Sequence, residues 1–256
     1  MGHLTLFLSP HLDDAALSCP TCIQRRKAVI ATVFTEPQHR QRRAEDRRAA
    51  KILGATPVHL GFDDAPFRST DYRDFMGIVF GRATEYRGTR RRVASAIESL
   101  VASHQPATVF APLAVGNHVD HRMVRDAALS VVAPSKLWFY EDRPYAFIPE
   151  QVAKALRTPL PPPDDTFWQR YFNTSYIRAY LGCADRDAIR HKWIRMRGFP
   201  APHCPRLAMT VKPNANEAAT AIKAIDAYRS QLADLFADRT EIDALYRHAR
   251  ERFYQV

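Results

Sequence analysis

Ala28 to Thr35 reads Ala-Val-Ile-Ala-Thr-Val-Phe-Thr. A near-continuous run of apolar and β-branched residues marks a strand covered on both faces, which is how strands behave in a parallel sheet sandwiched between helices. Shorter runs of the same kind recur at Leu4 to Leu8, Pro57 to Leu60, Thr108 to Ala111 and Lys136 to Tyr140. Helical patterns stand between them, at Ala15 to Arg26, Arg40 to Leu53, Arg90 to Ser103 and His121 to Val131. Gly54 follows the second of these at the usual helix-stop position. Strands alternating with helices predict right-handed βαβ units. The expected fold class is therefore α/β: a Rossmann-like, mostly parallel sheet flanked by helices.

After Pro149 to Leu156 the chain carries Thr158 to Asp165 (Thr-Pro-Leu-Pro-Pro-Pro-Asp-Asp), a stiff extended stretch. Beyond it the patterns are helical: Thr174 to Leu181, Arg186 to Met196, Asn216 to Phe236 and Thr240 to Phe253. We expect residues 1–157 to form the α/β core and 158–256 a mainly helical C-terminal extension packed on the same domain. Gly61 to Gly88 breaks every pattern while mixing Gly, Pro, Asp and aromatics, so it is expected to overhang a site.

Neither GxGxxG nor GxxxxGK[ST] occurs, which argues against a dinucleotide or P-loop site. No apolar run approaches 18 residues, so no transmembrane helix is expected, and the N-terminus has no signal-peptide pattern. A cytoplasmic protein that does not engage a membrane is the default expectation. Four cysteines, Cys19, Cys22, Cys183 and Cys204, are expected to be reduced. The CxxC at Cys19 has no second CxxC to complete four ligands, and buried thiols on a helix are its simpler reading. The net charge of +10 allows nucleic acid or an anionic substrate as partner. The densest basic cluster, His39 to Arg48, is interrupted by Glu45 and Asp46, and reads first as the solvated face of an amphipathic helix.

The chemistry gathers in two short groups. Ser9-Pro10-His11-Leu12-Asp13-Asp14 follows the first strand, and Gly116-Asn117-His118-Val119-Asp120-His121 follows the fourth. In a doubly wound sheet these strands are neighbours at the switch point, where ligands bind beyond the carboxyl ends. Three protein ligands with an open position describe a catalytic metal, and His11, Asp14 and His121 satisfy that count. Asp13, His118 and Asp120 then remain. A carboxylate beside a metal-bound water can act as general base. An imidazole one helical turn from a ligand can steady an oxyanion or protonate a leaving group. Asp120 could orient that imidazole. The set suits metal-assisted hydrolysis of an amide or ester.

Pro10-His11-Leu12-Asp13-Asp14 resembles the PHPDD motif of the PIG-L/LmbE-like zinc-dependent deacetylases, and His118-Val119-Asp120-His121 is similar to that family's HxDH. Arg42, Glu45, Ala49 and Leu53-Gly54 look like its second-helix pattern. Leu12 and Ala15 depart from the Pro and Glu that members often carry. The resemblance implies Zn2+ on His11, Asp14 and His121, Asp13 as base, and His118 as oxyanion or acid partner, with Asp120 in the same machinery. It implies Arg42 on the substrate side. Glu141 and Asp142, at the end of the fifth strand, are further candidates for lining the crevice. The implied activity is removal of an N-acetyl or similar N-acyl group from an amino sugar or sugar-containing natural product. The implied partner is thus a small N-acetylated sugar or glycosylated metabolite, and a homo-oligomer is compatible with it. Two other readings are a basic nucleic-acid-binding protein with a structural metal, less favoured by the sequence, and a catalytically silent sugar-binding member.

Overall fold

The computed structural model describes residues 3–37, 40–182, 184–200 and 202–256; Met1, Gly2, Gln38, His39, Cys183 and Ala201 lie outside the described residues. Its centre is a seven-stranded sheet of order β3-β2-β1-β4-β5-β7-β6. The strands are β1 (Leu4–Ser9), β2 (Lys27–Glu36), β3 (Thr56–Asp63), β4 (Thr108–Pro112), β5 (Leu137–Tyr140), β6 (Arg206–Val211) and β7 (Glu251–Gln255). The first five pair in parallel and the last two add antiparallel. The chain winds outward from β1 to β3, then returns to place β4 on the other side of β1. The switch point therefore falls between β1 and β4, as expected.

The period of two in each strand sends alternate side chains to opposite faces. Leu6 and Leu8 of β1 join one core with Val29, Ala31, Val109 and Phe139. Phe7 joins a second core across the sheet, with Ile30, Phe110, Tyr140 and Phe253. Helices α6 (Tyr86–His104) and α7 (Val119–Val131) cover the first core. Helices α1 (Asp14–Ser18), α2 (Pro20–Gln24), α3 (Arg40–Ile52) and α12 (Ala215–Ile225) cover the second.

The expected helix from Ala15 to Arg26 is two helices. Pro20 lacks an N–H and its ring collides with the preceding turn, so the helix stops at Cys19 and restarts with Pro20 in its first turn. Cys19 and Cys22 are free, wholly buried thiols of the second core, and burial pushes both upward in pKa.

In α3 the basic residues Arg47 and Arg48 face solvent, as the amphipathic reading expects, but Glu45 and Asp46 are buried. Glu45 accepts from Ser230 Oγ at 2.6 Å and Asp46 meets His59 Nε2 at 2.7 Å and Tyr228 OH at 3.0 Å. Inward carboxylates with partners tie α3 to the C-terminal part and to β3.

Gly61 to Gly88 holds the end of β3, then α4 (Ala65–Arg68), a 3-10 turn (Thr70–Tyr72) and α5 (Phe75–Phe80). From Leu160 on, the chain is mostly helical: α9 (Asp165–Asn173), α10 (Ser175–Leu181) and α11 (Arg186–Arg195) close an aromatic core over α5. Between β5 and these lies α8 (Pro149–Ala155). The C-terminal part departs from expectation in supplying two strands. The expected helix Asn216 to Phe236 ends at Ile225 and is followed by α13 (Leu232–Leu235). The expected helix Thr240 to Phe253 ends at Tyr246, as α14 (Arg239–Tyr246), and the chain then extends as β7 between β5 and β6. Phe253 and Tyr254 serve the two faces of the sheet, which a strand allows and a helix does not. Among the described residues, no helix is long and apolar enough to cross a membrane.

Candidate metal centre

The turn after β1 is held from within. Ser9 Oγ donates to His11 O at 2.6 Å and accepts from Ala15 N at 3.0 Å. Phe34 N of β2 donates to Pro10 O. These bonds fix His11 just beyond the sheet and start α1 at Asp14. After β4, Ala114, Gly116 and Asn117 all take left-handed backbone, a tight reversal that aims His118 and His121 back over the strand ends. His118 caps α7, its Nδ1 accepting from Asp120 N at 3.2 Å.

The two turns meet. Asp14 Oδ2 lies 3.0 Å from His11 Nδ1 and 3.2 Å from His121 Nε2. One donor atom from each of His11, Asp14 and His121 falls within 4.8 Å of the other two. His118 completes a triangle of rings, with centroids 4.9 Å from His11 and 5.2 Å from His121. The fit to a divalent cation rests on His121. Its Nδ1 is engaged by Asp142 Oδ1 at 2.6 Å, while its Nε2 is buried and makes no hydrogen bond. A buried ring nitrogen aimed at a carboxylate and a second imidazole is a ligand geometry rather than a core geometry. Two imidazoles and a carboxylate suit zinc or another first-row divalent metal. A second grouping, His11 with His118 and Asp120, also brings donors within the same reach. Its Asp120 is occupied elsewhere, which favours Asp14 and His121.

Asp120 is wholly buried. Its Oδ2 meets His11 Nε2 at 3.1 Å and Ala65 N at 3.1 Å, and its Oδ1 accepts from Arg68 Nη2 at 2.5 Å. Although burial alone would raise its pKa, His11 and Arg68 hold the carboxyl well below the usual range. Asp120 therefore braces His11 by its side chain and meets His118 only through its backbone N–H, so the expectation that its carboxylate orients the His118 imidazole is corrected. Asp64 Oδ1 stands 3.4 Å from the same His11 nitrogen.

The adjacent carboxylates divide. Burial opposes ionisation of Asp14, but His121 and His11 outweigh it and hold it well below the usual range. Asp13 is raised, first by burial and then by the charge of Asp14, with Arg42 and His11 opposing. One is thus kept as an anion and the other is disposed to take a proton. Burial and the neighbouring His11 and His121 hold His118 well below its usual value, so its ring is neutral. Because Nδ1 accepts a backbone N–H, the proton of that ring sits on Nε2.

Asp13, His118 and Arg42 line a cavity that opens on the metal ligands. Its other walls are Phe75, Ile78 and Val79 of α5, with Tyr145, Tyr176 and Tyr180. The irregular segment does overhang the site. Two candidates for lining the crevice are corrected. Asp142 is wholly buried behind His121, its second oxygen accepting Val115 N at 2.8 Å. Glu141 turns to the neighbouring strand β7, where it accepts from Tyr254 OH at 2.6 Å and Arg252 Nη1 at 3.0 Å. Successive residues leaving a strand point to opposite sides, so the pair could not both face the crevice. Sequence reasoning passed over Asp64, Arg68 and Tyr145. Asp64 carried a usable signal, an acid at the carboxyl end of β3; Arg68 and Tyr145 carried none.

Fold and site together define an α/β protein with a His–Asp–His, metal-capable centre at the switch point of its sheet. Residues 6–132 match the PIG-L family model, described as GlcNAc-PI de-N-acetylase. The chain is 34% identical over 164 residues to 2'-N-acetylparomamine deacetylase of Streptomyces fradiae, a match that takes in 56% of this chain and 57% of that enzyme. The chain thus aligns with little more than half of that relative's length. Among solved structures it is similar to a deacetylase of the teicoplanin biosynthesis pathway, at 20% identity and TM-score 0.66 over 99% of this chain and 98% of that one. It is also similar to N,N'-diacetylchitobiose deacetylase from Pyrococcus horikoshii, at 16% identity and TM-score 0.50 over 98% of this chain and 83% of that one. These two likenesses concern the fold.

Proposed function

We propose that this chain is a zinc-dependent N-deacetylase acting on an amino sugar or a sugar-containing natural product. The observation that carries the reading is the convergence of His11, Asp14 and His121 on one point while Asp13 and His118 line the adjoining cavity. The 2'-N-acetylparomamine deacetylase relative supports the substrate class, since its name describes an N-acetylated amino sugar compound.

The reaction adds water across an amide, giving a free amine and acetate. His11, Asp14 and His121 would hold a divalent cation, which would supply Lewis acidity and make water easier to deprotonate near neutral pH. Asp13, the carboxylate with the raised pKa, takes the proton of the attacking water. His118 carries its proton on Nε2 and faces the same cavity, so it donates to the carbonyl oxygen as charge develops there. The proton held by Asp13 then passes to the departing nitrogen. Arg42, also on the cavity wall and close enough to Asp13 to favour its ionised form, is the residue assigned to contact the substrate. The aromatic wall of Tyr145, Tyr176 and Tyr180 receives the body of the substrate and excludes water.

The test is acetate release from N-acetylated amino sugars by the zinc-loaded protein, beside Asp13→Ala. The variant is expected to lose about 10²- to 10⁴-fold in kcat, the usual contribution of a positioned general base. Near-normal turnover by Asp13→Ala on a proven substrate would remove Asp13 from the mechanism.

A further inference from the structure

A second cavity, of about 510 Å³, lies on the far side of α5 from the metal centre. Helix α5 is the shared wall. Val79 lines the metal cavity, while the neighbouring Phe80 lines the second one. Asn117, whose side-chain amide donates to Val79 O at 2.5 Å, also lines the second cavity.

Three separate parts of the chain bring cations to it: Arg82 before α6, Arg122 and Arg125 on α7, and Lys192, Arg195 and Arg197 at the end of α11 and just beyond. Asp126 is the one carboxylate of its lining, and it is already engaged. Its Oδ1 takes Arg125 Nε at 3.0 Å and Nη2 at 2.9 Å, and its Oδ2 accepts from Tyr86 OH at 3.0 Å. Arg122 forms no ion pair among the described residues. Its Nη2 donates to Gly81 O at 2.7 Å, and its Nε is buried without a partner. Arg82, Lys192, Arg195 and Arg197 are exposed and have no carboxylate partner among the described residues.

Cations gathered in a concave, partly desolvated space raise one another's energy and concentrate counter-anions. Guanidinium groups present paired donors that match phosphate oxygens. The cavity has the volume of a small-molecule site. We propose that it binds a small soluble polyanion of the phosphate class, separately from the metal centre. Its concave shape favours a compact ligand over a duplex, which presents a convex backbone.

The probe is pyrophosphate, titrated calorimetrically into the full chain, into Arg195→Gln with Arg197→Gln, and into His121→Ala. The exposed arginines are not needed for folding, and circular dichroism checks this. The expected result is saturable binding to the wild type with a dissociation constant below about 1 mM. The double arginine variant is expected to weaken it by about tenfold or more, while His121→Ala leaves it in place. No saturable binding, or equal binding by the arginine variant, would overturn the proposal. So would loss in His121→Ala with retention in the arginine variant, which would put the ion on the metal. Displacement of pyrophosphate by duplex DNA at equal phosphate concentration would overturn it in favour of nucleic acid.

Discussion

Nδ1 of His121 and Oδ1 of Asp142 lie 2.6 Å apart, and both side chains are wholly buried. The bond fixes the ring's tautomer and turns Nε2 toward Asp14 and His11. Val115 N holds the other Asp142 oxygen at 2.8 Å, so the carboxylate is itself held in place. Partners of this kind set both the orientation and the basicity of a ligand. Asp142→Asn is expected to weaken divalent metal binding by about 10- to 100-fold with the fold retained. Competitive titration with a chromophoric chelator reads the affinity, and an unchanged constant would detach Asp142 from the centre.

Proton competition gives the site a pH dependence. Burial works against a charged His121, but Asp14 and Asp142 outweigh it and bring the metal-free imidazole to about 9. His11 is likewise raised, with burial opposed by Asp64 and Asp14. At pH 7 the metal-free ligands hold protons that a cation must displace. Metal affinity is therefore expected to rise with pH, by about one logarithmic unit per pH unit for each proton released, until both His121 and His11 have lost their protons. Calorimetry in buffers of different ionisation enthalpy counts the released protons. Loading at pH 7 with no proton release would contradict this.

Arg68, the last residue of α4, reaches Asp120 at 2.5 Å, with its guanidinium 4.6 Å from the centre of the Phe34 ring. Arg68→Met takes from a buried carboxylate one of its two cationic partners, leaving His11, and breaking a buried pair in this way costs up to about 3–5 kcal/mol. Because Asp120 braces His11, metal affinity is expected to fall as well. Urea unfolding measures the first effect, and a change below about 0.5 kcal/mol, the scatter of neutral surface substitutions, would show that the pair is not a support.

Gly116 and Gly54 make a controlled pair. Both have positive φ, at +80° and +74°. An added Cβ at Gly116 would stand 2.5 Å from the Tyr145 ring, whereas at Gly54 nothing lies within 4 Å. Gly54→Ala is expected to cost about 1 kcal/mol from backbone strain alone. Gly116→Ala adds a collision with a residue of the cavity wall, so thermal unfolding should show a larger loss and the metal turn should shift. Equal losses would mean that Tyr145 moves aside freely.

The parts legible in the sequence were those fixed by local pattern. Ala28 to Thr35 announced a central strand because every side chain in it had to be covered. His11, Asp14 and His121 were legible because strand ends at a switch point face one crevice. The strands β6 and β7 were not: Arg206–Val211 is short and mostly exposed, and Glu251–Gln255 continues a helical spacing until antiparallel pairing with β5 overrides it. The roles of Asp142 and Asp120 were hidden for another reason. Whether a carboxylate faces a cavity or stands behind a histidine depends on which way one residue points as it leaves its element, and spacing does not carry that.

The most direct test of the account is metal content by elemental mass spectrometry, in the wild type and in His121→Ala, after loading with zinc and desalting. About one zinc per chain in the wild type and a large loss in the variant is the expected result, since three ligands from two distant turns are needed to close the site. No retained metal in the wild type, or the same content in both proteins, would contradict a centre built from His11, Asp14 and His121.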